Sequence, residues 1–180
     1  MPITPFHLGP GAALKSIAPK HFSFTIFLFT QILIDLESFY FFMKNDWPVH
    51  RFFHSYIGAT VVVVIGIVIA RPICQWLLKK WNAKLSKKQK EWLYVEPIIS
   101  MKSAIIGLVL GAYSHIFLDS IMHSDIKPFS PFTDRNGMHG IITIDQLDLF
   151  CVLSGIVGVL ILAGYRVIKK RHQNVVHSDG

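Results

Sequence analysis

The residues able to do chemistry fall into three short stretches. His50-Arg-Phe-Phe-His54 places two imidazoles four apart, so on a helix they share a face. His115-Ile-Phe-Leu-Asp119-Ser-Ile-Met-His123 repeats that spacing as imidazole, carboxylate and imidazole. Leu-Ile-Asp35-Leu-Glu37 adds two acids. Residues two apart do not share a helix face, so we expect Asp35 to point inward as a ligand. Glu37 then serves as a second ligand, a base or a group behind the ligands. Neutral imidazole and carboxylate oxygen suit zinc or another divalent transition metal, and a mixed set with open positions is the catalytic pattern. The first ligands expected are His54, His115 and Asp119, then Asp35 and His50. His123 is the alternative acid or base to Glu37, while Arg51 and Ser114 are near enough in sequence to orient a substrate. His21, His139, His172 and His177 read as interfacial residues. Cys74 and Cys151 each sit in an apolar run, so neither a disulfide scaffold nor cysteine ligation is expected.

These residues must be positioned by membrane helices. The chain has 180 residues, of which 52% are hydrophobic and 16% charged, with a mean hydropathy of +0.45; ordinary globular domains carry about 25% charged residues. Disorder is excluded, because so apolar a chain cannot stay solvated as a coil. Four apolar runs approach the length needed to cross a bilayer, about 17–25 residues. They predict spans over about 22–43, 53–78, 98–122 and 147–168. The second run is apolar all round, unlike a soluble helix with one wet face. The first contains two acids and is followed by no small-x-small site, so a cleaved signal peptide is not expected. Pro2, Pro5, Gly9, Pro10 and Gly11 break the start of the chain, leaving at most a short amphipathic helix from Ala12 to Ile17. No internal repeat is seen.

The net charge of +7 is a topology signal. Lys15 and Lys20, the lysines between 79 and 90, and the basic cluster from Arg166 to Arg171 all fall on one side of four spans. Lys44, Arg51, Lys127 and Arg135 fall on the other. The positive-inside rule makes the first side cytoplasmic, and a nucleic-acid partner is not expected. Eight of the 11 acids and five of the nine histidines fall on the opposite, outward side. At about 1.5 Å rise per residue, Asp35 is roughly 20 Å and His115 roughly 25 Å above the inner boundary. Ionisable groups inside a span are costly and mark functional sites.

Thr-Pro-Phe-His7, Leu-Ile-Asp35-Leu-Glu37, His50-Arg-Phe-Phe-His54-Ser-Tyr and Gly-Ala-Tyr-Ser-His115-Ile-Phe-Leu-Asp119, followed by Pro128 and Pro131, resemble the LexA-regulated inner-membrane metal-dependent hydrolase family (YdjM-like). The resemblance covers most of residues 1–132. It implies a metal site formed by His7, Asp35, Glu37, His50, His54, His115 and Asp119. Glu37 stands where that family usually has Asp, and Phe53 where Thr is common. The order of motifs is also distantly similar to zinc-dependent phospholipase C through its His-x-x-x-Asp pair. That enzyme's later His-x-x-x-Glu element has no match, so a full three-metal site is not expected. For His7 to reach an outward site from a cytoplasmic start, residues 4–17 must form a short re-entrant helix, with Gly9-Pro10-Gly11 as its break.

The sequence thus predicts an all-α membrane bundle of about four spans plus a short N-terminal helix. Residues 1–171 form one membrane-embedded domain and 172–180 a loose polar tail. We expect an inner-membrane protein with cytoplasmic N-terminal region and C-terminus. Its divalent-metal site, with zinc the favoured ion, lies toward the outer face. The expected activity is hydrolysis of a phosphoester or similar bond in a lipid or amphipathic substrate. A divalent-cation transporter and a non-catalytic scaffold with a structural metal are the alternatives.

Overall fold

A computed structural model describes residues 5–178 of the chain, with side chains described over 6–168. The described residues are all-helical: α1 (Leu8–Ile17), α2 (Phe24–Met43), α3 (Tyr56–Lys84), α4 (Lys87–Leu93), α5 (Met101–Met122) and α6 (Ile144–Ser178), with single 3₁₀ turns at Pro5–His7 and Phe52–His54. Four of them, α2, α3, α5 and α6 through Ile168, are long and apolar enough to cross a membrane. Serine hydroxyls start four of the helices. Ser23 accepts from Ile26 N, Ser55 from Gly58 N and Ser100 from Ser103 N, while Ser86 closes a capping box with Gln89. Each satisfies one of the amide donors that a helix start leaves unpaired.

The packing has two layers. Helices α2, α3 and α5 pack against one another around Ile26, Ile34, Ala59, Val62, Leu108, Ala112 and Ile116, all buried. At Gly111 a Cβ would crowd the Phe27 carbonyl and Thr30 of α2, so glycine allows close helix approach where oily surfaces gain little by meeting each other. The second layer is α1 lying along α6, running the same way. Here a Cβ at Gly9 would overlap the Cys151 carbonyl. The outer face of α6 exposes Leu149, Leu153, Ile156 and Leu160. A continuous exposed apolar face of this kind fits lipid rather than water.

The structure corrects several expected boundaries. Gly9-Pro10-Gly11 does not interrupt α1, which starts at Leu8 rather than Ala12. Pro10 lies in the first turn, where its missing N–H would have had no partner. Helix α3 begins at Tyr56, because Ser55 is its cap, and it runs to Lys84. Helix α6 covers Ile144–Ser178, so the backbone of 172–178 is helical rather than loose; 179–180 lie outside the described residues. Helix α4 lies in the lysine-rich link between α3 and α5.

Helices α1 and α2 fold back on each other as a hairpin, with Gly11 of α1 against Phe27 of α2. Ten residues of α1 rise about 15 Å, roughly half a hydrocarbon core. Lys15 Nζ holds the bend by donating to the Pro19 and Phe22 carbonyls at 2.6 and 2.9 Å. The C-terminal ends of α2 and α5 and the N-terminal ends of α1, α3 and α6 therefore gather at one end of the bundle. The lysine-rich link lies at the other.

Candidate metal centre

Four side chains from three elements converge at that first end. Asp35 projects from α2, His54 from the 3₁₀ turn before α3, and His115 and Asp119 from successive turns of α5. All four are buried, and one potential ligand atom from each lies within 4.8 Å of all the others. His115 Nε2 is 3.2 Å from Asp35 Oδ1 and 3.1 Å from Asp119 Oδ2. His54 Nε2 is 3.8 and 3.6 Å from the same two oxygens. Two ligand atoms each about 2.1 Å from one ion are separated by about 3.0 Å at a right angle and about 3.4 Å at a tetrahedral angle. The observed separations run from just above the right-angle value to about 0.4 Å beyond the tetrahedral one.

The hydrogen bonding behind the four is as informative. His115 Nδ1 is 2.7 Å from Gln31 Oε1, a carbonyl oxygen that can only accept, so Nδ1 carries the proton. The Nε2 lone pair of a neutral His115 then faces two carboxylate oxygens and has no hydrogen-bond partner; Asp119 Oδ1 has none either. Lone pairs crowded together in a buried site repel unless a proton or a metal cation lies between them. A divalent ion would also cancel the two charges that Asp35 and Asp119 bring. The donor set fits such an ion.

Glu37 and Asp35 resolve their awkward spacing by approaching His54 from different sides. Asp35 faces Nε2, while Glu37 Oε2 lies 3.6 Å from Nδ1 and accepts a hydrogen bond from the Phe53 amide at 2.9 Å. Glu37 therefore sits behind the imidazole, where a carboxylate fixes the tautomer and orientation of a ligating histidine. Ser38 Oγ also lies 3.4 Å from both His54 ring nitrogens. His7 is brought to the same place by the 3₁₀ turn before α1. It is buried, its Nδ1 is 3.5 Å from Asp119 Oδ1, and its ring stands edge-on to His115.

Two residues expected with this cluster stand beside it in a second group, with the His50 ring 4.7 Å from that of His54. His50 and His54 do not share a helix face, because Ser55 delays the helix and both lie in the segment before it. His123 does not continue the α5 stripe. It is the residue at which the helix ends, with extended φ/ψ of −114° and 124°. The two turn toward each other, with rings 4.4 Å apart, and meet Asp125. His50 Nδ1 lies 3.0 and 2.9 Å from the two Asp125 oxygens. Burial, followed by the neighbouring His54 and His123 imidazoles, pushes His50 down to about 4; burial also lowers His123. Arg51 points into the outer segment, pairing with Asp46 at 2.6 Å and lying over the Phe41 ring. The Ser114 hydroxyl is buried without a hydrogen-bond partner.

Sequence reasoning passed over Gln31, Ser38 and Asp125 as site residues. Gln31 had a signal, being a polar residue in an apolar span one helical turn before Asp35. Asp125 lies in a loop, where no periodicity predicts direction.

Fold and site together define a multi-pass helical membrane protein with a buried His/carboxylate group that could hold a metal ion. The model of the YdjM inner membrane protein family matches residues 6–178, and the chain belongs to that family. No curated protein and no solved structure matches it significantly.

Proposed function

We propose that this inner-membrane protein is a metal-dependent hydrolase acting at the outer face. Its substrate would be a phosphoester or similar bond in a lipid or amphipathic molecule. The observation that carries the metal reading is His115: its Nδ1 is committed to Gln31, while Nε2 faces Asp35 and Asp119 unpartnered. When bound, a divalent ion would lower the pKa of a coordinated water and polarise the scissile group. Asp35, His54, His115 and Asp119 would hold it. Gln31 and Glu37 keep the two imidazoles oriented. His7, 3.5 Å from Asp119, is placed to join them or to exchange a proton with a bound group.

The interior beneath the cluster favours a one-sided site over a cation path. Ile34, Val62, Leu108, Ala112 and Ile116 fill the space between α2, α3 and α5. The orientation rests on the lysine-rich link, which lies at the end of the bundle opposite the cluster and belongs in the cytoplasm by the positive-inside rule. Reporter fusions after Lys88 and after Phe132 should give opposite signals; equal signals would overturn the topology.

The decisive experiment joins metal and turnover. Protein purified in detergent should carry a divalent ion by elemental analysis and hydrolyse members of a phosphoester panel. Chelation should abolish the activity and ion replacement restore it. Asp119→Ala should lose both ion and turnover while still inserting into the membrane. An Asp119→Ala protein that keeps both would sink the reading.

A further inference from the structure

The pairing of His50 with His123 and Asp125 is a second cluster of metal-ligating side chains, and the α2–α5 centre does not use it. We propose that these three residues hold a second divalent cation, distinct from the one assigned to Asp35, His54, His115 and Asp119. The inference stands whether or not the chain is a hydrolase, because it concerns ion binding alone.

The geometry supports it in three ways. One nitrogen from each imidazole and one Asp125 oxygen lie within 4.8 Å of one another. His50 Nδ1 is hydrogen-bonded to Asp125 at 2.9 and 3.0 Å, a contact that needs no ion, and that spacing is also close to the separation of about 3.0 Å for ligands at right angles on one ion. His123 Nε2 is a buried ring nitrogen with no hydrogen-bond partner. The chain also fixes the position of the cluster. Asn136 Nδ2 donates to the Ser120 and His123 carbonyls at 2.8 and 3.1 Å, pinning the end of α5 from which His123 projects. Asn136 is thus a positioning residue.

The two clusters are neighbours, not one site. The His50 and His54 rings lie 4.7 Å apart, yet His50 turns to Asp125 and His54 to Asp35 and Asp119. The second cluster lies nearer the helix ends and is more open, with the Asp125 side chain 31% exposed against 4% for Asp119. It brings one carboxylate against two. Fewer charges and more water make it the weaker and faster-exchanging of the two sites, suited to zinc or a similar ion with positions left for water.

The test is stoichiometry. Full-length protein in detergent is stripped with chelator, titrated with zinc alone, and freed of loose metal before elemental analysis. Wild type should hold two zinc ions per chain. His123→Ala and Asp125→Asn should each hold one, with unchanged helix content by circular dichroism. In wild type, graded chelator should remove one ion well before the other. A wild-type ratio of one or none would overturn the second site. So would two ions retained in both variants, or loss of both ions in either. Failure of the first centre reads separately, as Asp119→Ala keeping the full wild-type count.

Discussion

Two groups of histidines and acids stand side by side, and they are built differently. The group around His115 stands on helices. Asp35, His115 and Asp119 come from regular turns of α2 and α5, and only His54 comes from a turn. The group around His50 comes from a connecting segment, the extended residue that caps a helix, and a loop. The first is closed off and supported from behind by Gln31 and Glu37, whereas the second is half-open and held by Asn136. Helical placement provides rigidity, because backbone hydrogen bonds inside the span leave the side chain few directions. Loop placement provides access to water and to whatever binds from outside.

The largest expected effect is on the helical group. His115→Ala removes the nitrogen that faces both carboxylates, leaving Asp35 and Asp119 as uncompensated charges. It should abolish ion binding at this centre, and elemental analysis of purified protein checks it. A variant that keeps its ion would place the centre elsewhere.

Changes behind the ligands should be milder. Gln31→Leu removes the acceptor that fixes the His115 proton, and should weaken metal affinity about 10–100-fold, as loss of such supporting groups does. Glu37→Gln still offers an oxygen to the Phe53 amide but no charge behind His54, and should fall in the same range. Competition against a chelator of known affinity measures both. If Glu37→Gln instead keeps full affinity and loses turnover by about 10²–10⁴, Glu37 is a general base rather than a support for His54.

Arg51→Ala should matter least. It breaks an exposed pair with Asp46 and a contact with Phe41, worth about 0.2–1 kcal/mol. Thermal melting should show a small drop, with metal content unchanged. A large loss of ion would mean that the outer segment holds the cluster more tightly than its exposure implies.

Much of this was legible in the chain. Lipid offers no hydrogen bonds, so apolar runs of span length must become helices, and their approximate number and place follow. Within α5, the spacing of His115 and Asp119 guarantees one face whatever the helix packs against, and the pair stayed together. The same spacing put neither His50 nor His123 on the expected face. Sharing a face requires continuous helix, and Ser55 and the end of α5 interrupt that helix at each place. Gln31 and Glu37 were visible as polar residues in a span, but their tasks depend on which ring each one meets.

Composition, span length and charge asymmetry by themselves determined a helical membrane bundle with most of its acids and histidines gathered at one end. Those properties depend on the solvent and on local helix geometry, which every stretch of sequence carries with it. Only the tertiary structure decided that the candidate ligands divide into two groups, that His7 returns to Asp119 along α6, and that Glu37 stands behind His54. Such contacts join residues far apart in the chain. Their distances are set by helix packing and by where loops turn, and no local spacing encodes either.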